Sequence, residues 1–571
     1  VGSFGGNGKK KHITTDLRKT NDLTEQSALE SKVKADDETL AYLSKVQALQ
    51  TPPPTSGVYI NEVMASNSET ASDLIGGNSD WIEILNNTSN SVDLNGYYFT
   101  DNSNEFNKFQ ITRSIIIPAF GREIIWASGE PQRGVNHLDF SLSSSGEFIA
   151  LTQPDGATIL DSLSFPKQRT DVSFGRETDG SNHLRFFSPA SFNTQNDAAD
   201  AYLGILEPPT FSHQGGFYQS AFNLTLTTAD SGATIYYSTD GSKPSQNNIR
   251  GISYQYKNQF FTDNLLTSSY ETKQYISNIP VVDRTSDPNK ISRIASTVSS
   301  SGNLYYFPDY QLYKGTPVRA ISHRANYLSS RVATYTYFIH PEISPKFDIP
   351  VVSISSTESN FFDFYEGIYV PGNTNTQQES EKLVNFEFIK NDDSIISQQM
   401  GVRLQGSGSR VFPMKSLRIF ARAAYSSEEA ISYKLFTNSN KTNFKRILLR
   451  NSGNDFSQEY LSIMFRDAFI QTSVKHLDID CQAYEPVAMF LNGEFWGLHN
   501  LRENLDKYYL EEKYGMNADS VDIMEDLEVK QGDAANYNSM NAFFRSNNDL
   551  SSPSLFATAS KLIDLRSYID Y

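Results

Sequence analysis

From Val58 onward, apolar and polar residues alternate in short runs broken by Asn, Gly, Ser and Asp. "VYINEV", "DWIEILNN", "YYFTD", "EFIALTQ" and "ATILDSLSF" follow a period of two, which predicts strands at sandwich-like spacing over residues 57–195. In the second of these runs Trp81, Ile82 and Ile84 read as buried on one face, with Asp80 and Glu83 nearer the turn or solvent. A second strand-rich stretch covers residues 205–340. Inside it, residues 245–305 are rich in Ser, Asn and Tyr with weak periodicity, and they predict a long loop insertion. Residues 347–571 mix the two periods. "DIPVVSISS", "VNFEFI", "GVRLQ", "KSLRIFAR" and "FKRILLRNS" read as strands, and "SQEYLSIMFRDAFIQTSV" reads as a helix. "YEPVAMFLNGEFWGLHNLREN" predicts a hairpin turning at Asn492-Gly493, the dipeptide that type I′ turns favour. "SVDIMED" predicts a further strand before a helical tail, so this unit is α+β.

Residues 1–56 differ from the rest. "VGSFGGNGKKKH" is glycine-rich and basic, Leu29, Val33, Leu40, Leu43 and Val46 recur at helical spacing, and "TPPPTSG" predicts a stiff extended linker.

Length and charge narrow the class. A chain of 571 residues predicts three or four domains. A net charge of −17 without a long basic block argues against nucleic acid as the main partner, because backbone phosphates need a concentrated cationic face. Cys481 is the single cysteine, which excludes an intrachain disulfide. No run of apolar residues is long enough for a transmembrane helix. The chain begins at Val1 with no apolar leader, and reads as a processed or partial chain whose compartment is left open.

Three resemblances organise these pieces. "INEVMASN", "SDWIEILNNTSNSVDLNGYYFTD" and "FSLSSSGEFIALTQPDGATILDSLSF" resemble a lamin-tail domain, which implies an immunoglobulin-like sandwich over residues 57–195. "EPPTFSHQGGFYQSAFNLTLTTADSGATIYYSTDGSKPS" resembles the Fn3-like module at the C-terminus of chitobiases and hexosaminidases. "GVRLQGSGSRVFPMKSLRIFAR", "FKRILLRNSGNDFSQEYLSIMFRDA" and "PVAMFLNGEFWGLHNLRENLDKYYLEEKYG" together resemble the CotH (spore-coat protein H) family of atypical protein kinases. The implied fold is multidomain: two all-β immunoglobulin/Fn3-like sandwiches followed by an α+β kinase-like domain truncated at its C-terminal side.

The candidate chemistry follows from that third resemblance. Phosphoryl transfer needs a cation on the donor phosphates, an acid that orders it, and carboxylates for the metal. By position Lys415 is the phosphate-contacting cation, with Arg403 and Arg418 beside it and Glu503 approaching from the hairpin. Arg418 is odd-spaced from Lys415, so strict alternation sends the two side chains to opposite faces and makes Arg403 the better second contact. Met414 stands where the family usually carries a second basic residue. Asp455 reads as a helix cap, Arg466 and Asp467 as an ion pair ordering the site, Trp496 as core, and His499 as an acid or base by residue type alone. The stretch is not a P-loop, since it lacks the G-x-x-x-x-G-K-[ST] spacing.

The family's catalytic and metal-binding aspartates lie beyond a helix that begins like "LIDLRSYIDY", and Asp478/Asp480 and Asp522/Asp526 lack the context to replace them. No catalytic or metal residue is therefore assigned in this chain. ATP and magnesium are the cofactors implied for the complete domain. Asp93, Asn95 and neighbouring lamin-tail Asp and Asn residues offer oxygen donors of the kind calcium takes, against the simpler reading as Asx turns. The expected protein is exported, at the cell surface or in the outer membrane or periplasm of a Gram-negative (Bacteroidota-like) bacterium, and phosphorylates protein Ser/Thr. The competing reading is a non-catalytic surface scaffold, adhesin or outer-membrane complex subunit whose sandwiches bind envelope proteins.

Overall fold

The computed structural model describes residues 57–258, 264–294, 308–342, 348–370, 380–390, 395–406, 408–411, 414–455, 463–525 and 527–571. The helices and proline linker expected within residues 1–56 lie outside the described residues. The chain is mostly β, in several sheets.

The first sheets are built from β1 (Val58–Met64), β2 (Asp80–Asn86), β3 (Tyr98–Thr100), β4 (Phe109–Gln110), β5 (Arg122–Ala127), β6 (Gly146–Thr152), β7 (Ile159–Pro166), β8 (Ser173–Arg176), β9 (Leu184–Phe187) and β10 (Ala201–Tyr202). They order as β10-β9-β8-β1-β2-β5 and β4-β3-β6-β7. Asp161 of β7 joins the two sheets: its Oδ2 accepts from Ile60 N at 2.7 Å and from Arg176 at 2.7 Å.

Strand β2 departs from expectation. Trp81, Ile82, Glu83 and Ile84 are all fully buried, and Trp81 lies on the opposite face from Ile82 and Ile84 instead of sharing one with them, so both faces of the strand are covered. Glu83 lies on the Trp81 face, bonded by Asn61 Nδ2 at 2.9 Å and facing Arg122 Nε at 3.3 Å. Burial lifts its carboxyl to about 8. Alternation marks which residues share a face, but not whether that face is covered.

The next unit contains β11 (Gly216–Tyr218), β12 (Thr234–Ser238), β13 (Ile252–Tyr256), β14 (Leu266–Tyr270), β15 (Lys273–Gln274), β16 (Thr316–His323) and β17 (Ala333–Ile339). Five of them form the sheet β11-β17-β16-β12-β15. The stretch expected as a loop, residues 245–305, instead carries the β13–β14 hairpin and the edge strand β15. Strand β13 alternates Ser or Gln with Tyr and β14 is mostly Thr and Ser, which lowers the hydrophobic contrast that periodicity relies on. Tyr254 of β13 packs into the core of the third unit, and its hydroxyl donates to Glu358 at 2.9 Å.

That third unit is a closed barrel of β18 (Val351–Ser355), β19 (Lys382–Ile389), β20 (Ile395–Gln405), β21 (Ser416–Phe420), β22 (Arg446–Arg450), β23 (Tyr484–Leu491) and β24 (Glu494–Glu503). The order is β18-β19-β20-β21-β22-β24-β23, closed by parallel pairing of β23 with β18. Val402, Leu417, Ile419, Ile447, Leu449 and Leu501 fill the interior. The β23–β24 hairpin turns at Asn492 (φ 45°) and Gly493 (φ 84°) as the dipeptide predicts. Glu387 on β19 accepts from both Thr336 N and Thr336 Oγ1 of β17, and Phe338 packs on Phe490 at 4.7 Å, so sheet and barrel share a contact surface. Helices α1 (Glu358–Phe362), α2 (Arg466–Val474) and α3 (Lys507–Tyr514) flank the barrel strands in sequence. A short hairpin, β25 (Ile523–Glu525) with β26 (Glu528–Gln531), precedes α4 (Ala535–Ser546), α5 (Pro553–Leu562) and α6 (Leu565–Asp570). This matches the expected strand and helical tail.

Candidate functional site

Strand β21 separates the predicted site residues. Leu417 and Ile419 point into the barrel, and Lys415 shares their parity, so it points inward too. It is 1% exposed. Its Nζ donates to the Arg410 carbonyl and lies 5.5 Å from the centre of the Tyr369 ring. The Tyr369 hydroxyl accepts from Trp496 Nε1 at 3.1 Å, and Trp496 is core as expected. His499 is buried beside them, its Nε2 3.3 Å from the Lys415 carbonyl. Burial, reinforced by the nearby Arg410 guanidinium, brings the Lys415 ammonium down to about 7. Burial brings His499 to about 4, so its ring is neutral near pH 7 and donates from Nε2 to that carbonyl.

Arg403 and Arg418 occupy the other side of the wall. They are cross-strand partners on β20 and β21, so their side chains share the outer face. Arg403 pairs with Glu381 at 2.8 Å, and Arg422 reaches the same carboxylate at 2.9 Å. Phe420 lies beneath three guanidinium groups, Arg403 at 5.1 Å, Arg422 at 5.2 Å and Arg446 at 5.6 Å. Arg446 pairs with Asp506 at 3.2 Å. Arg418 Nε is buried without a hydrogen-bond partner among the described residues. Burial and then Arg446 lower its pKa, opposed by Asp506 and Glu525.

Glu503 belongs to neither group. Leu417, Leu449 and Leu501 share one rung of the barrel, and Ile419, Ile447 and Glu503 share the next inward rung. Glu503 therefore sits four residues along from Lys415, about 13 Å at strand rise. Its carboxylate pairs with Lys441 at 2.9 Å. The structure thus brings Arg403 and Arg418 together, and places Lys415 and Glu503 apart from them and from each other.

Around α2, Asp455 accepts from Arg466 N at 3.0 Å, the expected cap. Arg466 and Asp467 do not pair. Asp467 instead receives Arg450 at 2.9 Å and the buried Arg502 at 2.7 Å, while Arg466 faces Asp455 at 3.3 Å. Sequence reasoning missed Glu381 and Arg446 as members of the outer cluster. It left His499 unplaced, although even spacing from Leu501 along β24 would have put it inside.

Asp93 accepts from Asn95 N, Ile115 N and Ser114 Oγ, which is the Asx-turn arrangement. Among the described residues no three His, Cys, Asp or Glu side chains gather as a metal site. A polyanion, by contrast, fits the outer arginines, whose mutual repulsion it would relieve.

Residues 402–571 begin on β20 and contain both the outer arginines and the buried lysine. That segment matches the CotH kinase protein family. Residues 51–167 match the lamin tail domain, and residues 213–262 match the chitobiase/beta-hexosaminidase C-terminal domain. No curated protein matches the chain. The CotH segment covers four whole barrel strands and the end of β20, and includes Lys415, Arg403, Arg418 and Glu503.

Proposed function

We propose that the chain is a CotH-like protein whose outer barrel face binds the phosphates of a nucleoside triphosphate, as the recognition half of a protein Ser/Thr kinase site. The observation that carries this reading is Arg418. It is a largely desolvated guanidinium flanked by Arg403 and Arg446, within the segment that matches CotH. Burying a cation among like charges is unfavourable unless an anion completes the site. Arg403 and Arg446 would orient that anion, while Glu381 and Asp506 hold those two side chains in place. Lys415 is one wall away and contributes charge only if the 410–415 segment rearranges. In this reading the first two β-rich units, as an immunoglobulin-like and an Fn3-like sandwich, present the kinase-like unit at the surface of an exporting cell.

Titration of the full chain with ATP, by calorimetry with and without magnesium, tests this. Arg418→Ala should weaken binding at least tenfold, as loss of a charge-assisted phosphate contact does. Unchanged affinity in Arg418→Ala would remove the outer face from the reading.

A scaffold reading has one observation of its own. Leu74 and Ile75 are exposed at the tip of a loop stapled by Asp73, which accepts from Ile75 N at 3.0 Å and Gly77 N at 2.8 Å and pairs with Arg133. Two aliphatic side chains held rigidly in water suit a protein contact. Envelope proteins recovered equally by the native chain and by a Leu74→Ser/Ile75→Ser variant would dismiss it.

A further inference from the structure

Where the β16 lead-in meets the turn of the β23–β24 hairpin, a lysine is buried away from every site described above. Lys314 is 2% exposed. Its Nζ lies 3.0 Å from Asn289 Oδ1 and 2.9 Å from the Leu312 carbonyl. Asn289 belongs to the stretch between β15 and β16, so the two residues lie on different segments of one unit. We propose that Lys314 and Asn289 are joined by an intramolecular isopeptide bond, a self-formed covalent cross-link.

The arrangement supplies what that reaction needs. An amine must be uncharged to attack, and desolvation lowers the pKa of Lys314 despite the opposing charge of Glu494. Arg284 and Asp287 are the other charged groups acting on it, with opposite signs. The electrophile is the Asn289 side-chain amide. Its oxygen already accepts from Leu312 N at 3.0 Å, so a backbone N–H is in place for the negative charge that develops there. Its nitrogen donates to the Tyr310 carbonyl at 2.8 Å, which fixes the amide plane.

Glu494 acts as a positioning residue. Its carboxylate accepts from Lys290 N, from Ile291 N at 3.0 Å and from Ser292 N at 3.1 Å, gripping the chain just after Asn289. The backbones of Lys314 and Glu494 also bridge, so one carboxylate and one bridge hold both reactants against the same hairpin. Such fixed approach is the main requirement for an amide to react with an amine without a separate catalyst.

The step balances without an oxidant or co-reactant. The neutral Nζ attacks Cγ of Asn289, and the tetrahedral oxygen is held by Leu312 N–H. A proton passes from Nζ to the side-chain nitrogen, the Cγ–Nδ2 bond breaks, and ammonia leaves. A secondary amide between Nζ and Cγ remains.

Mass spectrometry of the purified full chain, incubated at mildly alkaline pH, tests this directly. The intact mass should fall below the sequence mass by one ammonia. Tryptic digestion should give one branched species joining the peptides that hold Asn289 and Lys314, with cleavage after Lys314 blocked. Lys314→Arg and Asn289→Ala should each restore the full mass and yield separate peptides. Glu494→Ala should slow the reaction, and Glu494→Gln should rescue it in part, because its amide oxygen still accepts from Lys290 N and Ile291 N while the Ser292 N–H loses its acceptor. Native protein in which both peptides remain separate overturns the proposal, whether the intact mass is unchanged or lowered by cyclisation of another asparagine.

Discussion

Replacing Lys415 with methionine should stabilise the barrel, and the gain should depend on pH. Methionine keeps the length of the stem and fills the space beside Tyr369 without a charge. Burial takes the Lys415 ammonium from its ordinary 10.5 to about 7. At about 1.4 kcal/mol per tenfold change in proton affinity, keeping the lysine folded at pH 7 costs about 4 kcal/mol relative to the unfolded chain. The sign follows from proton counting. Between pH 7 and 10.5 the unfolded lysine holds its proton while the folded one has lost it, so the unfolded state binds more protons and stability rises with pH. Below pH 7 both states are protonated and the full cost is present. Above 10.5 it vanishes. The loss of the bond to the Arg410 carbonyl, about 1 kcal/mol, offsets part of the gain. The variant should therefore unfold about 2–4 kcal/mol later than the native chain near pH 7, with the advantage shrinking steadily towards pH 9. Calorimetry from pH 6 to 9 reads this from the transition that the substitution displaces. A constant difference at every pH, or a variant less stable at pH 7, would refute the reasoning, because the lysine would then be charged and well compensated in its pocket.

Glu387 titrates in the opposite sense: burial lifts it to about 7, so the stability it contributes should fall as pH rises from about 4.5 through 7, and Glu387→Gln should flatten that dependence in thermal melts. Gly493 has φ 84°, and a Cβ there would lie 2.4 Å from the Gly315 carbonyl oxygen, so Gly493→Ala should cost at least about 2 kcal/mol in urea unfolding and loosen the contact between hairpin and β16 lead-in. Trp496→Phe should lose only the bond to the Tyr369 hydroxyl and part of the ring packing, about 1–2 kcal/mol, and leave ATP binding by the outer arginines unchanged. If nucleotide affinity falls with Trp496→Phe, the inner end of the barrel and not its outer face holds the ligand.

Periodicity carried much of the fold. The alternation of "GVRLQ", "KSLRIF" and "FKRILLR" placed three barrel strands, and Asn492-Gly493 placed the hairpin. The parity of Lys415 and Arg418 already separated them across a wall. Barrel closure was not legible, because it depends on β18 pairing with β23, strands far apart in sequence with no local signal for partnership. The burial of Glu83 was hidden for a similar reason. Its partners Asn61 and Arg122 come from neighbouring strands, and residue type alone assigns an acid to solvent. Glu381 could not be foreseen as the hub for Arg403 and Arg422, since three separate segments meet at that carboxylate. The β13–β14 hairpin was missed because strands built mostly of Ser, Thr, Gln and Tyr resemble a polar loop.

The parallel seam between β18 and β23 also governs the order of events during synthesis. The first barrel strand leaves the ribosome well before its closing partner exists. Until residue 491 has emerged, the growing sheet has two open edges of unpaired N–H and C=O groups beside an uncovered apolar face. The hairpin at Asn492-Gly493 then supplies β23 and β24 together, so one late, local event seals both edges at once. Chains interrupted before that turn should be sticky and protease-sensitive, whereas chains carried past Glu503 should have a sealed barrel, and a ribosome-stalling series would locate the change within a few residues of β24.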